Sequence, residues 1–94
     1  MSHLFLGMKE FNGDISNWNV SNVTDMCYMF FRCNSFNQDI SNWNVSNVTN
    51  MRVMFSGCKS FNQDLSKWNV NKVKSNDNMF RDCPIEEKYK PKFK

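Results

Sequence analysis

The sequence predicts an α/β repeat solenoid of about three 25-residue coils, each with a short strand and a short helix. Three observations predict it. One stretch of sequence returns at a fixed spacing, two hydrophobic periodicities alternate within each copy, and 94 residues suffice for only one hydrophobic core. A single copy cannot bury its own apolar side chains, so stability must come from stacking one copy on the next.

The fixed spacing relates nearly every apolar residue of one copy to an apolar residue of the next. The segment SFNQDISNWNVSNVTNM, residues 35–51, recurs every 25 residues. We expect each of the aligned columns to point into one shared interior. These columns are Phe11, Phe36 and Phe61; Ile15, Ile40 and Leu65; Trp18, Trp43 and Trp68; Val20, Val45 and Val70; Val23, Val48 and Val73; Met29, Met54 and Met79; Phe30, Phe55 and Phe80; and Cys33, Cys58 and Cys83.

The same columns divide the chain into parts. Residues 1–84 are expected to form one repeat domain with three copies, 11–35, 36–60 and 61–84. Residues 1–10 follow the second half of the pattern and should form a helical half coil that caps the stack. Residues 85–94 form a basic C-terminal tail, which is expected to fold over the open end.

Each copy combines a helical spacing with a strand spacing. In the central copy, Val48, Met51, Met54, Phe55 and Cys58 are spaced as one face of a helix that should end at about Gly57. The segment Trp43-Asn44-Val45 alternates as a short strand does. A leucine-rich repeat has this order of elements, so the coils are expected to be leucine-rich-repeat-like and right-handed.

Local motifs resemble known repeats. Val48-Thr49, Phe55-Ser56-Gly57-Cys58 and Trp43-Asn44-Val45 resemble the helix start, helix end and strand of BspA-type repeats in bacterial surface proteins. More closely, FNQDISNWNVSNVTNM is similar to the repeats, roughly 25 or 26 residues long, of a domain of unknown function found in mycoplasma and other bacterial surface lipoproteins and in some large DNA viruses. The resemblance covers about residues 1–84. It implies a repeat fold, a cell-surface or viral context and a role in binding, without catalytic activity.

Polar residues flank the strand apolars and should form an exposed sheet face that is rich in amides and nearly uncharged. Two interpretations of the asparagines remain open, namely hydrogen bonding within turns and ladders, or contact with a ligand. A protein or glycan suits this chemistry better than a phosphate backbone does. The candidate binding residues are Asn17, Asn19, Ser21, Asn42, Asn44, Ser46, Lys67, Asn69 and Asn71.

Three aspartates, Asp14, Asp39 and Asp64, form a column of like charges. Carboxylates about 5 Å apart repel each other by roughly 0.8 kcal/mol per pair even in water, so something must offset the repulsion. The favoured interpretation is that each aspartate accepts backbone N–H bonds in the turn before its strand. The alternative is a divalent cation held between turns, although the Gly-rich turns of calcium-binding repeats are missing.

The four cysteines are interpreted as free thiols that pack as small apolar groups. Cys33, Cys58 and Cys83 share one column, in which a disulfide between neighbours would leave one thiol unpaired. A zinc site is disfavoured because the ligands are a full coil apart and His3 is the single histidine. His3 is also expected to lie at a mobile end of the chain, which leaves a Ser-His or Cys-His nucleophile without a base, so no enzyme is predicted.

The formal charge of +3 is small, and the repeats are nearly neutral. A nucleic-acid interface using Lys67, Lys72, Lys74 and the tail is therefore disfavoured. The sequence contains no segment apolar enough to cross a bilayer, and its first ten residues lack the features of a secretion signal.

The predicted function is that of a non-enzymatic interaction module without a cofactor, which binds a protein or surface ligand through the Asn/Ser face. The alternative is a structural spacer, or a fragment of a longer surface repeat array, with no dedicated ligand. The chain is expected to be a monomer or to associate end to end. The sequence predicts neither the ligand nor the cellular compartment.

Overall fold

The computed structural model describes residues 1–93. The one regular element in that range is a 3-10 helix over Glu87–Tyr89. Two isolated parallel bridges join Asp25 to Asn50 and Asn50 to Ser75, and turns and extended segments make up the rest of these residues. The predicted right-handed, leucine-rich-repeat-like α/β solenoid is therefore wrong. The described residues lack the short helix and short strand of each coil, and the helix of the half coil at 1–10 is absent as well.

A run of consecutive turns replaces the predicted helix of each copy, over residues 27–32, 52–57 and 77–82. The backbone N–H of Cys58 donates to the carbonyl of Phe55, three residues back, at 3.1 Å. The N–H of Phe55 instead donates to the carbonyl of Met79 in the next copy, at 2.9 Å. Because N–H groups along the run alternate between these two partners, the i→i−4 bonds of an α-helix do not form.

The backbone of each turn run also enters the left-handed region twice, which an α-helix of L-residues does not do. The first position holds His3, Tyr28, Val53 and Asn78, with φ of 61°, 58°, 60° and 56°. The second holds Gly7, Arg32, Gly57 and Asp82, with φ of 73°, 60°, 75° and 58°. Consecutive turns therefore produce the apolar spacing that predicted a helix.

Gly57 is favoured by both its conformation and its surroundings. A Cβ on Gly57 would lie 3.1 Å from Cγ and 3.4 Å from Cα of Arg32, whereas a Cβ on Gly7 would have no atom within 4 Å. We expect Gly57→Ala to lower the free energy of unfolding by about 1–3 kcal/mol, and Gly7→Ala by about 1 kcal/mol or less. Urea melts of the two variants measure the difference, and equal effects would show that Arg32 does not approach Gly57 closely.

The predicted strand half of each copy is extended but does not form a ladder, because its N–H groups are used locally. In the central copy, the N–H of Ser41 donates to Oδ1 of Asp39 at 2.9 Å. The N–H of Trp43 donates to the carbonyl of Ile40 at 3.1 Å. Such local bonds compete with sheet pairing, and here they replace it.

The predicted in-register columns are confirmed by the aromatic side chains. Neighbouring rings in the column of Phe5, Phe30, Phe55 and Phe80 have centroids 5.5, 5.3 and 5.7 Å apart. In the column of Phe11, Phe36 and Phe61 the distances are 5.8 and 5.7 Å. The two columns contact each other, since Phe55 and Phe61 stack at 4.4 Å. Equivalent side chains thus lie directly over one another in a shared apolar core.

The tryptophan column points inward in two of its three members. Trp43 and Trp68 are 4% and 5% exposed, and each indole Nε1 donates at 3.1 Å to a carbonyl of the preceding copy, that of Ile15 or Ile40. Trp18 is 42% exposed, so the inward assignment is wrong for that residue. In the first copy the ring packs beside Phe5 of the shorter segment 1–10, which covers it less completely.

The two ends of the stack differ in how they are covered. After the last copy, Ile85 is buried, and Tyr89 accepts a hydrogen bond from the backbone N–H of Leu65 at 2.8 Å. At the other end Phe5 is buried while Leu4, Leu6 and Met8 are exposed. The division at 84–85 remains a prediction, and Lys94 lies outside the described residues. In the described range no helix has the length and apolar character needed to span a membrane.

Candidate functional site

The nine predicted binding residues all reach the surface, but on turns and on the short segments between turns instead of on a sheet. Ser21 and Ser46 are half-buried, and the other seven are exposed. The predicted sheet face is therefore wrong as a description of the backbone, because the described residues contain no sheet. We call this surface the Asn/Ser face. It consists of Asn17, Asn19, Ser21, Asn42, Asn44, Ser46, Lys67, Asn69 and Asn71.

Three asparagines of the Asn/Ser face hold the turns that follow them. Oδ1 of Asn44 accepts hydrogen bonds from the N–H of Ser46 at 3.1 Å and from its hydroxyl at 2.6 Å. Asn19 makes the same two bonds to Ser21, and Asn69 accepts the N–H of Asn71. The interpretation that asparagines stabilise turns is confirmed for these three positions. Their carbonyl oxygens are engaged, which leaves the amide NH₂ groups as hydrogen-bond donors.

One predicted binding residue lies beside the aspartate column. A shallow groove of about 340 Å³ brings Asn42 close to two of the three predicted aspartates. Its lining residues are Asp14, Ser16, Gln38, Asp39, Ser41 and Asn42. The groove therefore combines carboxylates, hydroxyls and amides contributed by two neighbouring copies.

The aspartate column behaves as the turn interpretation predicts. Asp14, Asp39 and Asp64 each accept the backbone N–H of the serine two residues later, at 2.9 Å. The pKa of Asp39 lies below its usual value because the Ser41 hydroxyl and N–H stabilise the carboxylate, and corresponding serine bonds lower the pKa of Asp14 and Asp64. Within residues 1–93, no three His, Cys, Asp or Glu side chains are grouped so as to hold a metal ion.

These lowered pKa values make stability depend on pH in acid. A carboxyl whose pKa is lower in the folded chain stabilises it above the unfolded value near 3.8, and this stabilisation is lost as the pH falls through the folded pKa. We therefore expect the melting temperature to fall as the pH is lowered below about 4. In the triple variant Asp14→Asn/Asp39→Asn/Asp64→Asn this fall should be smaller, because Asn keeps the turn bond, as at Asn44, without titrating.

Thermal melts between about pH 6 and pH 2.5 make the comparison. A triple variant that lost as much stability in acid as the parent chain would show that other groups carry the pH dependence. A triple variant that was already unstable at pH 6 would show that the carboxylate charge is needed for the turns.

The cysteines are free thiols, as the sequence predicts. Sγ of Cys33 donates to the carbonyl of Phe5 at 3.0 Å, and Sγ of Cys58 donates to that of Phe30 at 2.9 Å. Burial raises the pKa of Cys33 to about 11 and raises that of Cys58 as well. Both thiols are therefore protonated and poorly nucleophilic at neutral pH.

The sequence reasoning missed an asparagine ladder on the surface. Oδ1 of Asn12 accepts the N–H of Asn37 at 2.8 Å, and Oδ1 of Asn37 accepts that of Asn62 at 3.0 Å. Gln63 adds hydrogen bonds from its side-chain NH₂ to Asn37, and the N–H of Glu86 continues the ladder onto Asn62. The signal was the Asn-Gln pair at 37–38 and 62–63, which recurs at the repeat spacing.

The sequence reasoning also missed a groove of about 670 Å³, which lies along the turn runs. Four cationic side chains from four different segments line it: Lys9, Arg32, Lys59 and Arg81. The columns of these residues contain other residue types in other copies, so aligning the copies did not reveal them. The lysines considered for a nucleic-acid interface, Lys67, Lys72 and Lys74, are exposed and do not line this groove.

Comparisons with known proteins place the chain in one family. No curated protein and no solved structure matches it significantly. Residues 1–91 match a family described as Mycoplasma protein of unknown function, DUF285. This match agrees with the resemblance to mycoplasma repeats and shows no link to BspA-type or leucine-rich repeats. Since the match covers nearly the whole chain, the protein belongs to the DUF285 family of mycoplasma proteins of unknown function.

Proposed function

We propose that the chain is a non-enzymatic interaction module that binds a protein or another surface ligand through the Asn/Ser face. The observation that carries this proposal is the repeated exposure of the same polar residues. Asn17 and Asn42 occupy equivalent exposed turn positions, and Lys67 occupies the third. A ligand contacting one copy would meet similar groups in the next, at the spacing that the stacked core sets.

The rigidity of the turns supports binding. Asn19 and Asn44 are held by hydrogen bonds to the following serines, and the turns rest on buried residues such as Val20 and Val45. A surface ordered before binding loses little conformational entropy when a ligand arrives. The Asn/Ser face therefore suits a ligand that presents hydrogen-bonding groups at regular intervals.

The state of the nucleophilic side chains supports a non-enzymatic role. The thiols of Cys33 and Cys58 are buried, and their pKa values are raised, which keeps them protonated. His3 stacks on Tyr28 with ring centroids 4.9 Å apart, at the exposed N-terminal segment. Neither arrangement supplies an activated nucleophile with an adjacent base.

A structural spacer is the second candidate, and the asparagine bonds favour it. The amide oxygens of Asn19, Asn44 and Asn69 are already used within turns, and the ladder of Asn12, Asn37 and Asn62 joins neighbouring copies. The hydrogen bonds therefore explain why these asparagines recur in each copy, without a ligand. An interaction module should lose its ligand when a substitution alters the Asn/Ser face and leaves the fold intact. A spacer has no ligand to lose.

Two single variants separate these functions. Asn42→Arg places a cation in a column that already contains Lys67, so the fold should tolerate it. Thr24→Arg is the matched control, because its column contains Lys74 and lies outside the Asn/Ser face. Both variants add the same charge, and urea melts establish that both remain folded.

The measurement is binding of the labelled protein to arrays of glycans and of surface proteins. The interaction module predicts at least one ligand that the parent chain and Thr24→Arg bind and that Asn42→Arg does not. Binding that survives in both variants would exclude the Asn/Ser face as the site. Failure of the parent chain to bind any array member would favour the spacer.

A further inference from the structure

The groove of about 670 Å³ along the turn runs is lined by twelve residues, of which Lys9 is the first in the sequence and Asp82 the last. Its volume falls within the range of about 300–1,000 Å³ that is typical of ligand clefts. Lys9 comes from the N-terminal segment, Arg32 and Lys59 from the first two copies, and Arg81 from the third. A ligand lying along the groove would therefore contact several copies at once.

Charge distinguishes this groove from the rest of the chain. It contains four of the 12 basic side chains and one of the nine acidic ones, Asp82. The remaining residues have eight of each sign, so the groove accounts for the whole formal charge of +3. The excess positive charge is therefore concentrated in this concave surface, which attracts an anionic ligand.

Arg32 of the groove has contacts to its backbone and to its side chain. The N–H of Arg32 donates to the carbonyl of Ser56 at 2.8 Å. The backbone at Gly57 lies so close to Arg32 that a Cβ on Gly57 would be 3.1 Å from Cγ of Arg32. The Arg32 guanidinium carbon lies 5.0 Å from the ring centroid of Phe31. These contacts orient a guanidinium that remains exposed and can bind a carboxylate through two hydrogen bonds.

Among residues 1–93, none of the four groove cations forms a salt bridge. In the column of Arg32 the other members are Gly7, Gly57 and Asp82, so the left-handed backbone there does not require a basic residue. The core columns, by contrast, keep nearly the same apolar residue in each copy. The basic residues of the groove are therefore explained better by a ligand than by the fold.

The lining indicates which class of anion fits. Bases and sugar rings stack on free aromatic faces, but here Tyr28 already stacks on His3, and Phe31 has the Arg32 guanidinium over its ring. Asp82 would repel a uniform polyanion such as a nucleic acid or a sulfated glycan, while a peptide of mixed sequence can place a basic or neutral residue beside it. We infer that the groove binds an extended acidic peptide segment of a partner protein, at a site separate from the Asn/Ser face.

A fluorescein-labelled peptide in which glutamate alternates with serine tests this site by fluorescence anisotropy, because a neutral serine can lie beside Asp82. The variant Arg32→Glu/Lys59→Glu should weaken binding by at least about tenfold, because it replaces charge-assisted bonds with repulsion. The control Lys74→Glu/Lys92→Glu makes the same change in net charge at exposed residues outside the groove and should change the affinity by less than about twofold. Equal losses in the two variants, or no binding to the parent chain, would overturn the proposal.

Three further checks concern the folding of the variants, the class of anion and the location of the site. Trp fluorescence and urea melts check that each variant is folded, and Arg32→Gln/Lys59→Gln replaces the reversed pair if that pair unfolds. A single-stranded oligonucleotide and a heparin oligosaccharide are then used as competitors. Weaker competition by both than by the unlabelled glutamate-serine peptide supports an acidic peptide of mixed sequence, whereas stronger competition by either would overturn that choice. Asn42→Arg should leave peptide binding intact, which distinguishes this site from the proposed Asn/Ser face.

Discussion

Replacing Trp43 with alanine is expected to lower the free energy of unfolding by about 3–5 kcal/mol, a large share of the stability of a small domain. The ring is 4% exposed and lies between copies, and its Nε1 donates to the carbonyl of Ile15 at 3.1 Å. Alanine would leave a cavity in the middle of the stack and a buried carbonyl without its partner. Urea denaturation followed by circular dichroism measures the change.

Two controls separate the causes of this effect. Trp18→Ala removes the equivalent ring from a site where it is 42% exposed, and it should cost about 1 kcal/mol or less. Trp43→Phe keeps most of the apolar area and removes only the N–H donor, so it should fall between the other two variants. If Trp43→Ala were no more destabilising than Trp18→Ala, the Trp43 ring would not be buried between copies.

Phe55→Ala is expected to have an effect of similar size, about 3–5 kcal/mol, because Phe55 lies where the two phenylalanine columns meet. Its ring stacks on Phe30 at 5.3 Å, on Phe61 at 4.4 Å and on Phe80 at 5.7 Å. Removing it therefore takes contacts from three rings and leaves a void that the rigid stack cannot easily fill. The same urea melts measure the loss.

Phe80→Ala is the matched control within the same column. Phe80 is only partly buried and stacks on Phe55 from the end of the column. Its loss should cost roughly half as much as that of Phe55, since fewer contacts are removed. Equal effects for the two variants would indicate that both rings have the same surroundings, contrary to the stacked arrangement.

The stacking of equivalent residues could be predicted from the sequence because it depends only on the repeat spacing. Phe36 and Phe61 are 25 residues apart, and any chain that stacks its copies brings two such rings together. The secondary structure could not be predicted in the same way. The spacing of Met51, Met54 and Phe55 fits a helix and a run of tight turns equally well. The left-handed backbone of Tyr28 and Val53, which decides between them, has no clear sequence signal.

The strand prediction failed for a related reason. The N–H of Trp43, inside the predicted strand, donates to the carbonyl of Ile40 and is not available to a ladder. Asp39 and Asn44 bind the N–H groups of the turns on either side. A local hydrogen bond forms without the cost of bringing two segments together, and in this chain the local bonds prevail.

The Asn/Ser face was predictable as a set of exposed residues, because residues that flank buried ones in an extended segment point outward. The basic groove was not predictable, since Lys9, Arg32, Lys59 and Arg81 occupy three different columns of the repeat. Only the path of the turn runs brings these four side chains to one surface.

Scalar couplings across hydrogen bonds, measured by nuclear magnetic resonance on the isotope-labelled protein, test the stacked turns most directly. The stacked arrangement predicts a coupling from the amide nitrogen of Phe30 to the carbonyl carbon of Met54, and one from Phe55 to Met79. A coupling from the nitrogen of Phe55 to the carbonyl of Met51, four residues earlier, would instead reveal an α-helix and contradict the stacked turns.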